Sequence, residues 1–129
     1  MSMIETSMTE ALGRFLDVDV ARLKLITSNL ANIDTPGYQT RDLDFRAELT
    51  RASSGVADND GASLVSAGYA PVMHTVRGLL ARPDGNNVSV ERESLLLAET
   101  QMKFSLGVQL LKDEFHGISM AINSGGTAS

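Results

Sequence analysis

Two long stretches of the chain carry apolar residues at helical spacing, and a polar, turn-rich stretch separates them. Between residue 3 and about residue 33, Leu12, Leu16, Leu23, Ile26, Leu30 and Ile33 follow a 3-4 rhythm, with Asp19 as the one polar residue in the seam. A second apolar set, Ile4, Met8, Ala11, Phe15 and Val18, runs alongside, offset by roughly a quarter turn. The resulting arc is wider than one packing partner requires. It suits either a core helix with a broad buried face or a helix that touches several neighbours. Ser2…Glu5 and Ser7…Glu10 both read as capping boxes at its start. From 90 to about 122, Leu97, Phe104, Leu111 and Ile118 repeat every seven residues, and so do Gln101, Val108, Phe115 and Ile122. Interleaved, the two series predict a left-handed coiled-coil seam over roughly four heptads. Leu95, Met102, Leu106 and Leu110 fall on the opposite face. Glu91 and Glu93 stand in the first turn, where they complement the helix dipole. Gly117 weakens the last turns by about 1 kcal/mol relative to Ala, and the tail from Asn123 to Ser129 is expected to fray.

The stretch between the helices opens with a stop signal. In Thr35-Pro36-Gly37-Tyr38, Pro at the second position and Gly at the third suit a type II turn. The proline keeps Thr35 out of the helical region, so the first helix ends at or before Asp34. Asn29 and Asn32 share one side of the last turns, where their amides can reach free carbonyls or a neighbouring chain. Phe45 to Leu49 reads equally as a helical turn or an extended piece. Ser53 to Gly68 is rich in Ala, Ser, Gly, Asp and Asn and is expected to be a flexible loop. Tyr69 to Val76 has the residues for one or two short strands, held to an edge by Pro71. Pro83-Asp84-Gly85-Asn86 is a strong turn signal, which suggests a small β-hairpin between Tyr69 and Val90.

The expected fold is therefore mainly α. Two long terminal helices form an antiparallel, coiled-coil-like pair around a short irregular middle with a possible β-hairpin. The divisions are 1–35, 36–89, 90–123 and a tail 124–129. Within the pair, Leu16, Leu23, Ile26 and Leu30 are expected to pack against Phe104, Val108, Leu111 and Phe115, with Leu97 and Ile118 extending the subunit-packing surface.

Composition narrows the function. The 129 residues are one domain's worth, with a net charge of −5 and no basic patch, so nucleic acid is not an expected partner. There is no cysteine, which excludes disulfides, thiolate catalysis and Cys-type zinc sites. Aromatic residues make up 5% and Trp is absent, so aliphatic side chains carry the packing. No apolar run is long enough to span a bilayer, and the N-terminus lacks the pattern of a cleavable secretory signal. His74 and His116 stand far apart in sequence and form no ligand motif; Asp42 and Asp44 suit turn or ion-pair duty better than acid–base chemistry. No phosphate loop or nucleophile elbow appears. The expectation is a protein without enzymatic activity, metal or cofactor.

Ser28, Asn29, Leu30, Ala31, Asn32, Thr35, Pro36, Gly37 and Tyr38 match a pattern S-N-I/L-A-N-x-x-T-P-G-Y/F. The chain thereby resembles the rod and hook family of flagellar axial proteins. Arg41-Asp42-Leu43-Asp44-Phe45 and Arg82-Pro83-Asp84-Gly85-Asn86-Asn87-Val88 are similar to the proximal-rod members. The likeness covers both ends of the chain and is weak over 50 to 70. It implies a structural subunit of the basal body, in the periplasmic space, exported unfolded by the flagellar type III apparatus without a cleaved signal. Its implied partners are copies of itself, other rod proteins, and ring and export-gate proteins at the rod base. Phe45 and Leu49 also fit the loose Phe-x-x-x-apolar pattern implicated in docking to the export gate. The competing expectation is a soluble helical adaptor or secretion-chaperone-like module that holds a partner helix.

Overall fold

Helices at the two ends of the chain lie side by side and antiparallel. Asn29, near the end of the first, meets Glu93 at the start of the second, and Phe15 and Leu16 of the first lie against Gly107 of the second. The computed structural model describes residues 7–56 and 70–127. In order they form α1 (Ser7–Ala31), β1 (Arg41–Asp42), α2 (Phe45–Val56), β2 (His74–Thr75) and α3 (Val90–Thr127). The capping box Ser2…Glu5 lies outside the described residues, as do 57–68 of the expected loop and Tyr69. The first part of that loop, from Ser53 to Val56, is instead the end of α2, since a polar, Ala- and Ser-rich stretch can prolong a helix already started.

α1 is shared between two partners, as its wide apolar arc anticipates. One side runs along α3. The other builds the core: Val18 and Leu25 are buried against Leu43 and Ala52, with Ala21, Phe45 and Leu49 packed around them. The open question over Phe45–Leu49 resolves as helix. Asp44 caps it, its carboxylate accepting the Ala47 amide at 3.1 Å. Ser89 caps α3 in the same way, accepting the Arg92 amide at 3.2 Å.

The small antiparallel ribbon of the middle segment is present, but its strands are not both within 69–90. Arg41 pairs with Thr75 and Asp42 with His74, so the first strand precedes α2. The turn at 82–85 forms as expected, with the Gly85 amide donating to the Arg82 carbonyl at 2.8 Å, but the chain it reverses stays out of the ladder. α3 continues past 123 to Thr127. Each residue added to an existing helix gains a hydrogen bond, and a glycine penalty of about 1 kcal/mol does not by itself end it.

The two heptad series on α3 are each only partly in the seam. Leu97, Leu111 and Ile118 of the first and Val108 of the second are half-buried, while Phe104 of the first and Gln101, Phe115 and Ile122 of the second are exposed. The buried positions between them are Glu93, Thr100 and Gly107. Small and hydrogen-bonded side chains occupy the closest approach, and an apolar pattern does not register them. Gly107 is the tightest point: a Cβ there would lie 2.8 Å from Leu16 Cδ2 and 3.2 Å from Phe15 Cδ1. Gly107→Leu should destabilise the fold by about 1–3 kcal/mol through overpacking, read by urea denaturation followed by circular dichroism.

Candidate functional site

The end of α1, the turn after it and the start of α3 are joined by a continuous polar clasp. Its centre is Asn29, 1% exposed. Every hydrogen-bonding position of its amide is used. Nδ2 donates to the Arg41 carbonyl at 2.8 Å and to Glu93 Oε2 at 3.1 Å. Oδ1 accepts the Tyr38 hydroxyl and the Arg41 amide, each at 3.1 Å. Asn32, one turn on, donates Nδ2 to the Ser28 carbonyl at 2.8 Å, closing the helix end, and accepts the Thr35 hydroxyl at 3.0 Å.

The turn has the geometry its sequence requires. Tyr38 donates its amide to the Thr35 carbonyl at 3.2 Å across Pro36 and Gly37, and Gly37 has φ 75°, the left-handed value glycine favours. The second turn stacks on the first. Gly37 donates its amide to the Asp84 carbonyl at 2.9 Å, and a Cβ on Gly85 would lie 3.5 Å from Gly37 Cα. Asn86, fully buried, gives its amide group to the Asn32 and Thr35 carbonyls at 2.9 and 2.8 Å. Arg82 caps the Ile33 carbonyl. Asn87 accepts the Thr40 amide at 2.7 Å and donates to Gln39 Oε1 at 2.9 Å. Carbonyls of the turn that follows α1, those of Asn32, Ile33 and Thr35, are thus bonded by a segment some fifty positions later in the chain.

An ion-pair chain completes the clasp. Arg22 of α1 grips Asp42 with two parallel bonds of 3.1 Å, and Arg92 of α3 reaches the same carboxylate at 2.7 Å. Arg92 also binds Glu93 Oε1 at 2.7 Å, and Glu93 returns to Asn29. Burial works to raise the Asp42 pKa, but the bonds from Arg22, the Leu43 amide and Arg92 outweigh it and hold the carboxyl below its ordinary 3.8.

Asp42 takes the ion-pair duty expected of it, whereas Arg22, Arg92, Glu93, Asn86 and Asn87 are site residues that sequence reasoning did not single out for this role. The ones it did are divided. Asn29, Asn32, Thr35, Pro36, Gly37 and Tyr38 are in the clasp. Ile26 is buried, and Leu16, Leu23 and Leu30 are half-buried along α1. Phe104 and Phe115 are 40% and 45% exposed on α3. Phe45 is half-buried, edge-on to Phe15 with ring centroids 5.3 Å apart, and Leu49 is packed beside it in the core. His74 and His116 are exposed. No group of three or more His, Asp or Glu able to hold a metal occurs among the described residues.

Asn29→Ala should cost about 2–4 kcal/mol in chemical denaturation, because it removes the partner of Glu93 Oε2 and of both Arg41 backbone groups together. Asp42 sets an acid limit. Its folded pKa is depressed, so its contribution is present above 3.8 and lost as pH falls through the lower folded value. Asp42→Asn should cost about 1–3 kcal/mol at neutral pH and flatten that acid limb, measured by urea melts between about pH 2 and about pH 5.

Comparison with known proteins points one way. A family profile described as "Flagella basal body rod protein" matches residues 20–39, which hold Asn29, Asn32 and the first turn. The flagellar basal body rod protein FlgB of Salmonella typhimurium is 30% identical over 122 residues, covering 85% of this chain and 88% of that protein. FlgB of Yersinia enterocolitica is 32% identical, covering 85% and 89%. FlgB of Cereibacter sphaeroides is 34% identical over 105 residues, covering 78% and 82%. The chain belongs to the flagellar basal body rod protein family, to which these FlgB proteins belong by name.

Proposed function

We propose that the chain is a subunit of the bacterial flagellar proximal rod, polymerising through α1 and α3 into a helical tube that transmits torque. Its family supports the coarser part directly: it is a structural protein of the flagellar rod. The observation that carries the finer part is the outer face of α3. Leu95 is 71% exposed, Met102 74% and Leu106 58%, and Met120, also exposed, continues the same helix face toward the C-terminal end. Beside them a groove of about 320 Å³ opens between the three helices, lined by Leu12, Phe15, Leu49, Leu106 and Leu110. Contiguous apolar surface of this kind on a small chain favours a protein partner. A head-to-tail contact that does not close on itself builds a helical filament.

In this reading the subunit-packing residues act in two ways. Leu16, Leu23, Ile26, Leu30, Leu97, Leu111 and Ile118 hold the helix pair, and Phe104, Val108 and Phe115 face neighbouring subunits. The clasp at Asn29, Asn32 and Thr35–Tyr38 fixes the direction in which the chain leaves the tube wall. The neighbours are copies of the chain, other rod proteins, and ring and export-gate proteins at the base, in the periplasmic space. No described helix is long and apolar enough to cross a membrane. Phe45 and Leu49 are packed in the folded chain, so an export gate would read them only before folding, consistent with export of an unfolded substrate.

Leu95→Glu with Met102→Glu is the test. Both side chains are largely exposed, so monomer stability should change by less than about 1 kcal/mol. Higher-order oligomers in sedimentation, and swimming when the variant replaces the native protein, should be lost. A native chain that sediments as one small dimer, with the variant retaining full swimming, would support the adaptor reading instead.

A further inference from the structure

We infer that the pairing of α1 with α3 is proton-linked through Asp19: the helices hold together more strongly when this carboxylate takes up a proton. Asp19 lies in the helix seam, 1% exposed, and neither carboxylate oxygen has a hydrogen-bond partner among the described residues. An ionised carboxylate withdrawn from water without such partners is unfavourable, whereas its protonated form is tolerated far better. The charged groups acting on it are Lys103 and Glu99 from α3 and Arg22 from α1 itself; α2 contributes the Phe45 ring, which lies under Lys103. Both cations are already engaged. Lys103 sits 3.1 Å from Glu99 and 4.3 Å from the centroid of the Phe45 ring. Arg22 makes its two bonds to Asp42.

Burial accordingly pushes the Asp19 carboxyl up from 3.8 to about 6, against the pull of Lys103 and Arg22 and with Glu99 adding to the rise. The folded chain then binds this proton more tightly than the unfolded chain. Stability therefore increases as pH falls through about 6 and stops increasing below 3.8. Asp17 is raised by burial too and acts in the same direction. Asp42 acts in the opposite direction, and only below the ordinary carboxylate value.

Two measurements on the full chain test this. Carbon-13 titration of the Asp19 carboxyl, assigned by comparison with Asp19→Asn, should give a midpoint near 6; a midpoint at or below about 4 overturns the inference. In urea denaturation, the folding constant of the native chain should rise about tenfold from pH ~7.5 to pH ~5. Asp19→Asn should lose most of that gain, and Asp17→Asn should keep most of it. Equal gains in the native chain and Asp19→Asn would overturn the inference.

Discussion

A single buried side-chain amide, that of Asn29, holds three segments that could not hold each other. The ribbon between β1 and β2 is only two residues long on each side, far short of what a hairpin needs to stand alone. The segment from Pro36 to Leu43 has little secondary structure of its own. Asn29 ties it down by bonding to both backbone groups of Arg41, then links that point to Glu93 of α3. A polar group this buried is costly when unpaired and strongly orienting when all its bonds are made. It therefore specifies where the chain goes as well as adding to stability.

The two glycine turns follow from the same constraint. Where Thr35–Tyr38 lies against 82–87, Gly37 and Gly85 take left-handed backbone angles, φ 75° and φ 85°, which other residues adopt only at a cost. With the turns stacked, Asn86 reaches the carbonyls of Asn32 and Thr35. The end of one long helix is thereby bound to the lead-in of the other. The helix pair is closed at this end by hydrogen bonds rather than by a hydrophobic plug.

Local features of this architecture were legible and long-range ones were not. Apolar spacing located both terminal helices, and Pro36 with Gly37 located the stop between them, because each depends on residues a few positions apart. The partner of β2 was not legible, since it lies some thirty positions earlier and two residues carry no alternation to read. Nor was the shared use of Asp42 by Arg22 and Arg92, which come from three separate segments. The seam was half legible. Leu97, Leu111 and Ile118 follow the apolar rule, but Thr100 and Gly107 are there because they are small and Glu93 because it is bonded. A heptad search passes over them and takes Gln101 and Val108, the larger residues next to Thr100 and Gly107.

That displacement has a structural consequence. A seam centred on Phe104, Val108 and Phe115 would cover those side chains with α1 and still leave Leu95, Met102 and Leu106 facing outward. Because the buried positions are Glu93, Thr100 and Gly107 instead, Phe104 and Phe115 are left 40% and 45% exposed as well. The interior thus accommodates fully bonded Asn29 and Glu93, and also the unbonded Asp19, while large apolar side chains face outward. For a solitary molecule this distribution is unfavourable on both counts. For a subunit, the outward apolar surface is what neighbouring chains would bury, and the hydrogen-bonded clasp is what would keep each copy's helices at the same angle. A tube needs both properties, since a repeating contact is only as regular as the internal geometry of the piece that repeats.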